Sequence, residues 1–247
     1  MTDTERKKYY ESALHTFSCE ARAIAELDRN LDREAFLKTV ELLSETQGRI
    51  ILSACGGTAT CARRAVQGFN NVDRAAQFLS PCDAPHGDYG MIRRGDILML
   101  LSKSGKTQEL EPQIPVARRR GAYIITVTEN PDAAIARDAD LVLTLHSGIE
   151  ACPYQCLSTS SAMAMMAVFD AIDICIMLRN GIDLDYFRIV HPGGGVGQVV
   201  TLLLGMNDAA VSVLTGDEAD AVFYGVVQSS SRTLVETNSA EVQQAVS

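Results

Sequence analysis

The sequence predicts an α/β fold: a three-layer αβα sandwich with a central parallel sheet and a helical N-terminal extension. Three observations predict it. Short, continuously apolar runs recur along the chain, as strands buried on both faces do. Each ends in polar or glycine-containing turn chemistry, and most are followed by a helical pattern. Strands that alternate with helices in this way build a parallel sheet covered on both sides.

Thr4 to about Arg29 is predicted as a first helix, because Tyr9, Ala13, Phe17, Ala21, Ile24 and Leu27 recur at three- and four-residue steps. Asp32 is a suitable N-cap for a second helix reaching about Ser44, with Phe36, Val40, Leu42 and Leu43 as its apolar set. The pattern then changes. Arg49–Ser53 (RIILS) is a strand, Gly56-Gly57 a turn, and Ala59–Gly68 a helix. Ala75–Leu79 adds a further strand. Asp96–Leu101 (DILMLL) feeds the loop Ser102-Lys103-Ser104-Gly105, and a helix is expected from about Glu109 to Arg120. Tyr123–Thr128 (YIITVT), a short helix near Ala133–Arg137 and the strand Leu141–Leu145 (LVLTL) follow. A long apolar helix runs from Ser160 to about Arg179 and is stopped by Asn180-Gly181. Beyond Met206 the signal is one apolar patch, Ala221–Val227, and a polar end. Residues 1–45 are thus read as helices packing on a main domain of residues 46–206, with 207–247 as a peripheral segment and frayed tail.

The 247 residues, 47% hydrophobic and 21% charged, suit one sizeable domain and argue against disorder. Apolar runs stay below the roughly 18 residues of a membrane span, and Met1–Lys8 lacks a signal core. No membrane partner is expected. The net charge of −9 disfavours a nucleic-acid binder. Seven scattered cysteines imply no disulfide framework and point to a reducing cytoplasm.

In a parallel sheet of this kind ligands sit beyond the carboxyl ends of the strands. Three polar loops fall there. In Ser102-Lys103-Ser104-Gly105-Lys106-Thr107, hydroxyls, a flexible glycine and free N–H groups converge, which suits an anion. An ordinary strand-to-helix turn with Ser/Thr caps is the competing reading. Leu157-Ser158-Thr159-Ser160-Ser161 has more hydroxyls than one helix cap needs. Ala54-Cys55-Gly56-Gly57-Thr58 has glycines that allow close backbone approach. Neither a Walker pattern nor a dinucleotide fingerprint occurs in these loops, and the run Pro192–Gly197 does not follow a strand.

The SxSGxT loop, the TSS loop, His86-Gly87-Asp88, Glu150-Ala151-Cys152-Pro153 and His191-Pro192-Gly193-Gly194 all occur in the chain. Over about Arg49–Met206 the chain resembles the sugar isomerase (SIS) domain, a flavodoxin-like fold. More closely it resembles the arabinose-5-phosphate isomerases of lipopolysaccharide and capsule synthesis. The resemblance implies a phosphosugar aldose–ketose isomerase that interconverts D-ribulose 5-phosphate and D-arabinose 5-phosphate. Ser102, Ser104 and Thr107 would hold the phosphate, with Thr159 and Ser160 contributing. Gly56, Gly57, Thr58, Lys103 and Ser158 complete the candidate binding set. Glu150, His191, Glu109 and His86 match family positions implicated in catalysis or in metal and substrate contact. The resemblance also implies an oligomer, a tetramer by analogy. Two positions depart from the pattern. Gly57 stands where the family carries a lysine, and Val190 where it usually has serine. Many relatives continue into paired regulatory CBS modules, which are not expected within these 247 residues.

Isomerisation of this kind passes through a cis-enediol. One base carries a proton between adjacent carbons, and a second group shuttles a proton between the oxygens. Glu150, in a loop after a strand, is the first choice as base. Glu109 reads equally as a first-turn helix acid. His191 before Pro192 suits acid–base work on the oxygens, or ring opening, near neutral pH, and His86 after Pro85 is open to shaping the site, binding a metal or crossing the subunit interface. No cofactor is called for, and no metal: Cys152 and Cys156 alone are weak zinc ligands. Arg118-Arg119-Arg120 is read as a solvated helix end.

Overall fold

A computed structural model describes residues 1–205 of the chain. The peripheral segment expected at 207–247, with its apolar patch Ala221–Val227, lies outside the described residues. The chain divides into two units, Met1–Gly181 and the residues from Ile182 onward.

In the first unit, α1 (Asp3–Ala25), α2 (Leu27–Asn30) and α3 (Arg33–Glu45) precede the sheet. A capping box starts α1, with Thr2 and Glu5 exchanging side-chain and backbone bonds. The single helix expected to Arg29 breaks at Glu26. Its apolar set is not the buried stripe: Tyr9, Phe17 and Ile24 are exposed, Phe17 by 63%, while Cys19 and Ala23 are the buried positions. Asp32 caps α3 as expected, its Oδ1 accepting from the Ala35 N–H at 3.0 Å.

The sheet holds β1 (Ile50–Ser53), β2 (Ala76–Phe78), β3 (Ile97–Leu101), β4 (Tyr123–Thr128) and β5 (Leu141–Thr144). All neighbours are parallel, in the order β2-β1-β3-β4-β5. Both faces are buried, so each apolar run divides by parity. Ile50, Leu52, Met99, Leu101, Ile125 and Val127 join one core. Ile51, Leu98, Leu100 and Ile124 join the other. This is why the runs show no polar alternation.

The connecting helices are α4 (Gly56–Asn71), α5 (Gln113–Arg120), α6 (Ala134–Arg137) and α7 (Ser160–Asn180). Helix α4 starts earlier than predicted, at Gly56. The helix expected from Glu109 begins only at Gln113. A 3₁₀ turn, Gln108–Leu110, precedes it, and Pro112, which lacks an N–H, takes the N-cap position. The triple arginine lies in its last turn, before the left-handed Gly121. Helix α7 is long and apolar enough, by length and composition alone, to cross a membrane. Its Ala164, Val168, Phe169, Ile172 and Ile176 are instead buried in the first core, where Phe169 meets Phe69 of α4 edge to face at 6.0 Å. Gly181 ends it in a left-handed conformation.

In the second unit, α8 (Leu184–Val190) is capped by Asp183, and α9 (Gly194–Leu204) follows. The Pro192–Gly197 run therefore leads into a helix from a helix, not from a strand. A Cβ at Gly197 would lie 2.6 Å from the Pro192 carbonyl, which explains a glycine there.

Candidate active site

Strand order reverses between β1 and β3, so the chain leaves these two neighbours in opposite directions and opens a crevice at their carboxyl ends. The loops after Ser53 and after Leu101 both start there.

The second loop is tightly built. Ser102 is buried, its hydroxyl 2.7 Å from the Thr107 hydroxyl and accepting from the Gly105 N–H at 3.1 Å. The Ser104 hydroxyl accepts from the Lys106 N–H at 3.2 Å and lies exposed. Gly105 has φ +68°, and a Cβ there would lie 2.3 Å from that of Ala133. Only glycine fits. The Lys103 carbonyl accepts from the Glu129 N–H at 2.9 Å and the Thr128 hydroxyl at 3.1 Å. These bonds fix the root of the Lys103 side chain.

That side chain reaches Glu150. Its Nζ donates to Glu150 Oε1 at 2.5 Å, joining residues 47 apart in sequence. The other oxygen, Oε2, accepts from the Thr159 N–H at 2.8 Å, the Thr159 hydroxyl at 3.0 Å and the Ser161 N–H at 3.3 Å. Helix α7 begins at Ser160, and Thr159 makes no side-chain cap of its own. Glu150 therefore supplies the acceptor that the first free amides of α7 require, and its charge complements the helix dipole. Burial alone would raise the carboxyl above its ordinary range. The Lys103 ammonium, Ser161 and the Thr159 and Ser161 amides overcome that and hold it at about 2. Gln155 clamps the backbone from the other side: it accepts from the Glu150 N–H and donates to the Glu150 carbonyl, both at 2.8 Å.

The third loop closes on the first. The Ser158 and Ser161 hydroxyls are 2.9 Å apart. A Cβ on Gly57 would lie 3.5 Å from Ser158 Cβ, an ordinary contact. The Thr159 hydroxyl accepts from the Ala151 N–H at 2.9 Å. Ser160 is buried, and its hydroxyl has no partner among the described residues. Gly56, with φ +58°, opens α4, and Thr58 is half-buried one turn in.

Glu109 and His86 are not joined to this network. Glu109 sits in the 3₁₀ turn, exposed, and its charge helps burial raise the Cys55 thiol. His86 is exposed at the end of a second 3₁₀ turn, Ala84–His86. Among the described residues, no hydrogen bond or ion pair joins either to Glu150. His191 belongs to the second unit, where it follows α8 and its ring lies 6.4 Å from that of Phe187. Ser161 and Gln155 are additions to the sequence reading. Ser161 ends the hydroxyl run, which was a usable signal; nothing in the sequence marks Gln155. Among the described residues, no three His, Cys, Asp or Glu side chains cluster to hold a metal ion.

A doubly wound sheet with hydroxyl-rich loops crowded at its switch point defines a class of α/β ligand-binding domain. Comparison with known proteins makes it specific. The SIS domain model matches residues 42–174. Arabinose 5-phosphate isomerase KpsF of Escherichia coli is 31% identical over 217 residues, 88% of this chain and 66% of that protein. A structure from Listeria monocytogenes, described provisionally as a sugar-phosphate isomerase, is 38% identical, with TM-score 0.75 over 78% of this chain and all of that one. A structure of an E. coli CFT073 protein in complex with arabinose 5-phosphate shares the fold, at 24% identity and TM-score 0.70 over 78% of this chain and all of that one. The chain belongs to the SIS domain family. It spans just under two thirds of the length of KpsF.

Proposed function

We propose that the chain is a phosphosugar aldose–ketose isomerase interconverting D-ribulose 5-phosphate and D-arabinose 5-phosphate through a cis-enediol. One observation carries the reading: a buried carboxylate, Glu150, is tied directly to the hydroxyl-lined loop Ser102–Thr107 that suits a phosphate. The likeness to KpsF supports the choice of sugar. Ser102, Ser104 and Thr107, with the loop amides, hold the phosphate. Ser158, Thr159, Ser160 and the Gly56–Thr58 turn line the sugar side. Glu150 takes the proton from carbon 1 of the ketose, leaving an enediolate, and returns it to carbon 2. An imidazole, His191 or His86, moves the proton between the two oxygens, and Glu109 contacts the sugar. No metal or cofactor enters this scheme.

The working form is a homo-oligomer, a tetramer by family analogy, in the cytoplasm. All seven cysteines are unpaired thiols, which supports a reducing compartment. The exposed Tyr10 and Phe17 of α1 support a covered surface. The pathway is capsule or lipopolysaccharide synthesis.

The test is arabinose 5-phosphate formation from ribulose 5-phosphate by the wild type, beside Glu150→Gln and Gly57→Lys and against a panel of other phosphosugars. Turnover lost in Glu150→Gln supports the reading. No turnover of any phosphosugar by the wild type rejects it. A second reading is a non-catalytic phosphosugar-binding module. Two observations favour it: Gly57, and a Glu150 carboxyl at about 2, which is a weak proton acceptor. Calorimetric binding of arabinose 5-phosphate without turnover would select it.

A further inference from the structure

The ion pair between Lys103 and Glu150 is unequal. The carboxylate side chain is only 4% exposed and held by the amides of α7, whereas the lysine side chain is 34% exposed. Glu150 cannot leave without uncapping α7. Lys103 can: its stem is anchored at the backbone carbonyl, and its ammonium is a flexible, partly solvated point charge. Lys103 also belongs to the loop that would take a phosphate. A dianion arriving there competes with a single carboxylate for the same ammonium.

We propose that Lys103 is a removable counter-ion that keeps Glu150 from acting as a base until a phosphate dianion in the Ser102–Thr107 loop draws the ammonium away. The inference rests on the phosphosugar reading and deepens it. With Lys103 in place, Oε1 is occupied and its charge neutralised. With Lys103 moved to the phosphate, Oε1 is free in a buried site where desolvation favours the protonated form. The C–H bond of the sugar then breaks, its electron pair goes to the enediolate, and the proton joins Oε1. The second half-step reverses this at the adjacent carbon. Oε2 stays on the α7 amides throughout. Glu129 lines a small cavity together with Lys103, Thr128 and Ser161. Its Oε1 is engaged by the Ser147 N–H and hydroxyl at 2.9 and 2.5 Å. Lys103 thus contacts the phosphate and, by leaving, sets the state of Glu150.

The experiment is a pH titration of the Glu150 carboxyl by carbon-13 NMR on the full chain, assigned with Glu150→Gln. Wild type, Lys103→Met and Lys103→Arg are compared free and with arabinose 5-phosphate. In the free protein, Lys103→Met raises the Glu150 midpoint by about 1–3 pH units, and Lys103→Arg leaves it low. Saturating ligand lifts the wild type towards the Lys103→Met value. The idea is overturned if free Lys103→Met titrates like wild type, or if the liganded wild type stays at its free value. Failure of arabinose 5-phosphate to bind, seen by calorimetry, rejects the sugar reading instead. Inorganic phosphate then serves as the probe, and the same two outcomes judge the counter-ion.

Discussion

Asp173 of α7 should behave as a built-in source of instability that grows as pH rises from acid to neutral. It is 8% exposed, and its Oδ1 has no hydrogen-bond partner among the described residues. Its Oδ2 lies against Gly68 of α4, so close that a Cβ there would be 1.9 Å away. Burial, aided by the neighbouring charge of Asp170 and opposed by Arg64, pushes the carboxyl from 3.8 up to about 7. The folded state therefore holds a proton that the unfolded state has released. Stability must fall as pH rises from about 4 to about 7, and level off above that. The full penalty is about 4 kcal/mol. Asp173→Asn keeps the shape and removes the charge. At pH 4 it should match the wild type. At pH 8 it should be more stable by up to about 4 kcal/mol, on the order of 10 °C in melting temperature for a chain of this size. Urea melts followed by circular dichroism at pH 5, 6, 7 and 8 read this directly. A mutant-minus-wild-type difference that stays flat across this range would refute the reasoning.

Glu150 gives the opposite sign. Its folded carboxyl, at about 2 against an ordinary 4.5, contributes about 3 kcal/mol that is complete above about pH 4.5 and drains away as pH falls towards 2. Glu150→Gln should therefore lower stability at pH 7 by about that amount, measured by urea denaturation; an unchanged midpoint would show that α7 finds another cap. Gly105→Ala should cost at least about 2 kcal/mol, because it combines a left-handed φ with a 2.3 Å approach to Ala133 Cβ, and it should abolish calorimetric binding of inorganic phosphate. Gly57→Lys should fold normally, because the added Cβ meets only an ordinary contact, and the helix propensity gained offsets an unfavourable charge near the start of α4. A melting temperature more than a few degrees below wild type would contradict that.

The sheet was legible because all five strands come from short, largely apolar runs, with loop chemistry after each. Helix starts were less so. Pro112 shifts α5 to Gln113, a local rule visible in the sequence and outweighed there by periodicity. The spacing of Tyr9, Phe17 and Ile24 describes a helix correctly but names the wrong face. In α1 the small residues Cys19 and Ala23 are buried instead. Size at the contact, not hydrophobicity, decided which stripe faced inward. Helices α8 and α9 were not legible, because each is short and the glycines at 181 and 193–195 interrupt any helical period.

The loops at the switch point were readable one by one; their connection was not. Motif spacing can suggest that a glutamate in a loop is a base, but it cannot show what that glutamate already binds. Here it binds two things on two oxygens. Oε2 completes the N-terminus of α7, a task that any ligand state of the folded chain requires. Oε1 accepts from the Lys103 ammonium. A carboxylate that gave both oxygens to backbone amides would be a structural cap and nothing more. A carboxylate whose second oxygen faces one flexible, partly exposed ammonium has its chemistry set by where that ammonium goes. The position that matters for activity is therefore residue 103 as much as residue 150, and a substitution there that left Glu150 in place would separate the capping task from the chemical one.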